Sequence, residues 1–344
     1  MQVLVGLLII AFTISSALFL PFINLLYFLN LKRGRQELLS TFRNKIPIFS
    51  RFNAKKAGTP VGGGILIVFI TTILFFVSLT ALKYFWFPIT SVYNLQEEIK
   101  ILFFTFTFFA LIGVYDDIKK IFPLKTANEF GLRMRHKIVL EIILALMVGL
   151  MLYFRLNITI VHIPFLGVFN LGFYFVPFAA FVIVAFTNAY NITDGLDGLA
   201  AGLLLIALFF FWIISASILD TVLSIFIAIL IGCLIAFLYF NIYPARIFLG
   251  DVGALSFGAT LAVIGLILGK AFTLPIIGGL FVLEVSSSLL QILSKQFLKR
   301  KLFTAAPFHL YLQNLGWPEP KIVMRAYLAG LILGMIGLFI AGIS

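Results

Sequence analysis

Two aspartates three residues apart, Asp194 and Asp197, stand in YNITDGLDGLAAG (190–202), within a chain that is 62% hydrophobic and only 11% charged. With Asn188 and Asn191 just upstream they form a run of oxygen donors, and Gly195 and Gly198 allow close backbone approach. Oxygen donors of this kind suit a hard cation such as Mg2+, which keeps several waters and meets phosphate oxygens. A second acidic motif, GVYDDIKK (113–120), puts Asp116 directly beside Asp117, with Lys119, Lys120 and Lys125 nearby. Two adjacent carboxylates repel, so a metal, a lysine or a shared proton must relieve them. Asp251, between glycines in RIFLGDVGAL (246–255), opens a helix whose N-terminus can face an anion. His309 lies in AAPFHLYLQNLGWPEPK (305–321). Carboxylates, Mg2+ and lysines together suit phosphoryl transfer, where cations neutralise phosphate charge as one bond forms and another breaks. The sequence has no Walker loop, no G-x-S-x-G elbow and no His/Cys cluster, and its one cysteine, Cys233, sits in an apolar run.

The elements that must position these residues are membrane helices. Apolar windows predict an all-α polytopic protein of about ten spans: 3–30, 61–82, 99–115, 138–155, 174–189, 198–218, 221–240, 254–269, 275–297 and 323–342. Residues 1–344 read as one transmembrane domain. Threading the loops alternately places 31–60, 116–137, 190–197, 241–253 and 298–322 on one side. That side, together with the flanking Lys295 and Arg325, holds every Lys and Arg except Lys83, Lys100, Arg155 and Lys270. The asymmetry predicts that these loops are cytoplasmic and both termini external. The net charge of +12 is then a topological signal, suited to anionic substrates and membrane lipids, and nucleic acid is not an expected partner. Of six aspartates, only Asp220 falls outside; the other five are expected at cytoplasmic span ends, around an active-site cleft. Carboxylates are costly there and mark function. An ion transporter also uses intramembrane carboxylates, but needs them along a path rather than on one face.

The motifs, in this order, resemble the polyprenyl-phosphate N-acetylhexosamine-1-phosphate transferase superfamily, and most closely its phospho-N-acetylmuramoyl-pentapeptide transferase branch. The resemblance runs through KAGTPVGGGI (56–65), GVYDD, NITDGLDGLAAG, YPARIFLGDVGAL (243–255) and APFHLYLQNLGWPEPKIVMR (306–325). TDGLDGLA and FLGDVG mark the superfamily, while KAGTP and GWPEPK point to the muramoyl-pentapeptide branch. The resemblance implies a Mg2+-dependent enzyme of the bacterial plasma membrane. It would move a phospho-sugar from a UDP-sugar, here UDP-N-acetylmuramoyl-pentapeptide, to undecaprenyl phosphate and release UMP. It implies a metal ligand at Asp251, catalytic roles for Asp116, Asp117, Asp194 and His309, and a homodimer. It further implies uridine contacts at Lys56, Asp197, Asn241 and Phe248, and phosphate-side contacts at Lys125, Lys137, Asn188 and Asn191.

Three positions depart from the family pattern. The family carries three consecutive histidines where this chain has His309, Leu310 and Tyr311; Ala254 replaces a usual serine and Val61 a usual threonine. The histidine change bears on which sugar is transferred, so a sister transferase using UDP-N-acetylglucosamine or a related sugar stands as the alternative. The family's ninth span bends around a lipid groove, and Glu284 with Ser286–Ser288 would suit a helix facing protein there.

Overall fold

The computed structural model describes residues 1–29, 31, 56, 58–121, 132 and 134–342. Among these, nine helices are long and apolar enough to cross a membrane. They include α1 (Gln2–Phe28), α2 (Gly63–Tyr84), α3 (Leu95–Ile121), α4 (Met134–Leu156) and α5 (Phe175–Thr193, entered through a 3-10 turn at Gly172–Tyr174). Then come α6 (Leu199–Ser217), α7 (Thr221–Asn241), α8 (Gly250–Ile267) and, last in the chain, α12 (Glu319–Ala341). The protein is thus all-α and polytopic. A short hairpin not expected from the sequence, β1 (Ile160–Ile163) against β2 (Gly167–Asn170), closes the loop between α4 and α5.

Helix α8 is the axis of the bundle. Every residue from Val252 to Ile267 is buried, which a helix apolar on all sides requires. It packs against α3, α5 and α2, and α1 lies along α7. Small residues set these distances, as close helix packing in lipid demands. A Cβ at Gly113 of α3 would collide with the Asp251–Val252 backbone, and one at Gly258 with the backbone of Phe186 and Thr187 on α5. Phenylalanines fill the gaps: Phe106 meets Phe226 edge-on, with ring centroids 5.3 Å apart.

Two expectations need correction. Helix α3 does not stop at 115 but runs through Asp116 and Asp117 to Ile121, so the acidic doublet is helical rather than part of a turn. The window 275–297 is not one continuous helix either. It divides into α9 (Leu274–Ile277) and α10 (Gly279–Phe297) at Gly278, where a side chain would strike the Phe186 ring. Helix α10 is inside-out. Glu284, Ser287, Gln291 and Ser294 are buried on one face, while Leu283, Leu289, Leu290, Ile292, Leu293 and Phe297 are exposed. The polar spine holds the following loop: Ser294 donates to the Arg300 carbonyl (2.9 Å), and Gln291 both donates to the Phe303 carbonyl (2.9 Å) and accepts from the Phe303 N–H (2.9 Å). That loop leads into the short α11 (Phe308–Asn314).

Candidate active site

The charged motifs meet at one end of the bundle, built from the last turns of α3, α5 and α7 and the first turns of α4, α6, α8 and α12. At its centre Asp116 and Asp251 share two lysines. Lys137, near the start of α4, reaches Asp251 Oδ2 at 2.9 Å and Asp116 Oδ2 at 3.2 Å. Lys120, one turn beyond Asp116, reaches Asp116 Oδ2 at 3.1 Å and also bonds Asp251 Oδ2. The other Asp116 oxygen accepts from the Leu132 N–H at 2.7 Å. An arrangement of this kind depends on all its members, because removing one partner of a buried pair leaves a charge uncompensated.

Asp117 points elsewhere. Its two oxygens accept from the Asp251 N–H (3.2 Å) and the Val252 N–H (3.3 Å), so it caps the N-terminus of α8 from a neighbouring helix. Gly250 makes this approach possible: its φ is +81°, and a Cβ there would press on Asp117 Oδ2 and Val61.

A second cluster lies beside the first. Lys56 pairs with Asp197 Oδ1 and Glu319 Oε1, both at 2.7 Å, and donates to the Gly195 carbonyl at 3.3 Å. Asp197 Oδ2 accepts from the Ala245 N–H at 3.0 Å. Asn241, at the end of α7, braces the turn before α6 by accepting from the Gly198 N–H (3.0 Å) and donating to the Ile247 carbonyl (2.8 Å). Tyr327 donates to the Gly198 carbonyl at 2.7 Å. The short stretch from Ala245 to Asp251 joins the clusters, and Phe248 within it bridges to Val61 in parallel. The Phe248 N–H bonds Pro60 O at 2.9 Å, and its carbonyl accepts from Gly62 and Gly63.

Along the last turns of α5, Asn188, Asn191 and Asp194 recur at helical spacing, and all three are part-exposed at the cleft. Asn188 donates to Glu141 Oε2 at 2.6 Å and to the Val184 carbonyl at 2.9 Å. His309 is buried. Its Nδ1 lies 3.0 Å from Glu284 Oε2, its N–H donates to the same carboxylate at 3.1 Å, and its Nε2 edge lies against Gly195. The two positions after it are packed rather than open: Leu310 is only 3% exposed, and the Tyr311 ring stacks on Phe308. Lys125 lies outside the described residues.

The donor set fits a divalent cation. Asp116 and Asp251 bring two carboxylates together between Lys120 and Lys137, and Asn188, Asn191 and Asp194 add part-exposed oxygens at the same cleft. Among the described residues, no three His, Cys, Asp or Glu side chains converge as a closed metal cage. Mg2+ does not need one, since it is ordinarily held by one or two carboxylates together with phosphate oxygens and water.

Several residues here are not singled out by sequence reading. Glu319 reads only as part of a family marker, and Glu141 and Tyr327 read as ordinary members of apolar helices. Lys120 is visible as a neighbour of the doublet, but its bond to Asp251 joins positions far apart in the chain.

Residues 99–269 match the model of glycosyl transferase family 4. The chain is 39% identical over 272 residues to a phospho-N-acetylmuramoyl-pentapeptide-transferase of Clostridium perfringens (strain SM101 / Type A), covering 78% of each chain. It is 36% identical over 307 residues to the protein of that name from Borreliella burgdorferi (strain ZS7), covering 84% of this chain and 83% of the relative. A third such protein, from Pelagibacter ubique (strain HTCC1062), is 36% identical over 326 residues, covering 88% and 84%. Identity at this level, across helices that each bring a residue to the charged cleft, leads to one conclusion: the chain belongs to glycosyl transferase family 4, among the multi-pass membrane phospho-sugar transferases related to the phospho-N-acetylmuramoyl-pentapeptide-transferases.

Proposed function

We propose that this enzyme transfers phospho-N-acetylmuramoyl-pentapeptide from its UDP derivative to undecaprenyl phosphate, giving lipid I for peptidoglycan and releasing UMP. The observation that carries this reading is the pairing of Asp116 and Asp251 through Lys120 and Lys137 at one end of the helix bundle. Such a site suits phosphates arriving from both water and lipid. An oxygen of the acceptor phosphate forms a bond to the β-phosphorus of the donor while the bond from that phosphorus to the UMP oxygen breaks. Lys120 and Lys137 neutralise the phosphate charge that moves in this step. Asp116, fixed by the Leu132 N–H, orients the acceptor phosphate and takes its proton.

Asp251, with Asp116 beside it, would hold Mg2+, which when bound supplies further charge neutralisation on the diphosphate. Asp117 keeps Asp251 in place. Lys56, Asp197 and Asn241, with Phe248 as a stacking face, form the uridine side of the cleft, and His309 faces the donor sugar. The basic residues at this end of the bundle support a cytoplasmic site with external termini.

The test is to incubate purified protein with undecaprenyl phosphate, Mg2+ and either UDP-N-acetylmuramoyl-pentapeptide or UDP-N-acetylglucosamine, and to measure UMP. Release with the pentapeptide donor is expected. Release only with UDP-N-acetylglucosamine would identify the sister activity, favoured by Leu310 and Tyr311 where the family has histidines. No release with either donor would refute the proposal.

A further inference from the structure

Glu141 stands one turn after Lys137 on α4, facing α5, and is fully buried. One of its oxygens, Oε2, accepts from the Asn188 amide at 2.6 Å. The other, Oε1, is buried with no hydrogen-bond partner among the described residues. A carboxylate in such a place carries a substantial desolvation cost, and Asn188 with the charge of Lys137 offsets only part of it. A leucine would suit the α4–α5 contact better unless the oxygens have a task.

The task is visible at Asn188. The same Nδ2 atom meets two acceptors, Glu141 Oε2 and the Val184 carbonyl, one turn back on α5. If the carboxamide were turned over, Oδ1 would face two oxygens at hydrogen-bond distance, so the orientation is fixed by its surroundings. Val184 alone would fix it weakly, because a carbonyl at i−4 is available to any rotating side chain. Both amide hydrogens are therefore directed away from the cleft, and the part-exposed side of Asn188 presents an acceptor.

We infer that Glu141 is a positioning residue, locking the Asn188 carboxamide so that its oxygen, and not its amide, faces the cleft. An acceptor there repels phosphate oxygens and attracts a cation, so Asn188 works on the metal side of the site and not as a phosphate donor. This rests on the proposed phosphoryl transfer.

The test uses E141Q, which keeps an acceptor oxygen, and E141L, which keeps the bulk and removes it. Each purified full-length protein is assayed for UMP release against Mg2+ concentration. Binding of Mn2+ alone is followed by electron paramagnetic resonance without donor or acceptor, and detergent melting checks the fold. E141Q is expected to stay within about threefold of the parent, while E141L loses at least about tenfold in turnover and binds Mn2+ correspondingly more weakly. Normal Mn2+ binding and turnover in E141L would overturn the inference. So would a loss in E141Q as large as in E141L, since Glu141 would then act through its charge. If E141L fails to fold, N188D and the double variant E141Q/N188D replace it: the glutamine amide should restore at least about fivefold of what N188D loses, and no recovery would overturn the inference. A parent protein that binds Mn2+ but releases no UMP from any donor would sink the proposed reaction, leaving the Glu141 comparison readable from Mn2+ binding.

Discussion

The carboxylate of Asp117 accepts hydrogen bonds from the backbone N–H groups of Asp251 and Val252, so one aspartate of the adjacent pair holds the helix that carries the third. The doublet is thereby divided. Asp116 faces the lysines, and Asp117 faces a helix N-terminus.

This division predicts unequal variants. Asp117→Ala removes a cap worth about 1–2 kcal/mol, lowering the melting temperature in detergent as well as turnover. Asp117→Asn keeps an acceptor oxygen and should retain most of the stability. Asp116→Asn should lose at least about a hundredfold in turnover, roughly 2.7 kcal/mol of transition-state stabilisation. An Asp117→Ala protein as stable as the parent would show that the cap is not what Asp117 contributes.

Asp251→Ala should abolish measurable UMP release at any Mg2+ concentration. It leaves Lys120 and Lys137 sharing Asp116 alone, so a fall in stability should accompany the loss. Titrating Mg2+ against Asp251→Asn gives the finer measure: a rise in the Mg2+ needed for half-maximal rate is expected. An unchanged Mg2+ requirement would remove Asp251 from the metal site.

In the cluster proposed to hold uridine, Lys56→Met leaves Asp197 and Glu319 facing each other with their shared cation gone. The expected result is a KM for the UDP-sugar raised at least about tenfold, with kcat less affected. Glu319→Gln should show a milder form of the same pattern. A pure kcat effect in either variant would place this cluster away from the nucleotide.

His309→Ala should lower turnover by at least about tenfold, roughly 1.4 kcal/mol. Restoring the family's histidines is predicted to succeed at one position and fail at the other. Tyr311→His replaces a part-exposed ring and should fold normally. Leu310→His buries an imidazole at a closed position and should cost about 1–3 kcal/mol, read as a lower melting temperature. A Leu310→His protein as stable as the parent would show that this position has a polar neighbour to offer.

At the opposite end of the bundle, burial pushes the Asp220 carboxyl above its ordinary value of 3.8, although it caps α7 through the Leu223 N–H. Glu98, fully buried, lies beside it. A carboxyl whose folded value is raised contributes stability that is complete below its unfolded value and lost as pH rises through the folded one. The apparent melting temperature should therefore fall as pH rises above the ordinary carboxylate range, and Asp220→Asn should flatten that slope. Parallel pH curves for parent and variant would show that Asp220 does not set it.

Much of the architecture is legible in the sequence because hydrophobic length and charge asymmetry are properties of single segments. Asp251 is legible too, since a carboxylate between glycines before an apolar run announces a helix start. The pairing of Lys120 and Lys137 with Asp251 is not, because it depends on how α3, α4 and α8 lie together. Glu141 escapes notice for the same reason: its partner is Asn188, a helix away. The break at Gly278 is hidden by composition, since the window 275–297 is apolar enough on average to pass for a span. Only the contacts of Glu284, Gln291 and Ser294 reveal that its polar face is the packed one and its apolar face the exposed one.

Helix α10 has a consequence for how this protein is made. A segment with a carboxylate, a carboxamide and hydroxyls along one side does not partition into hydrocarbon by itself. Its hydrogen-bond partners, from Arg300 to His309, lie downstream in the chain, so they emerge from the ribosome after it. The buried polar face of α10 is therefore complete only once the loop from Arg300 to His309 has been synthesised, so this part of the molecule takes its final packing late.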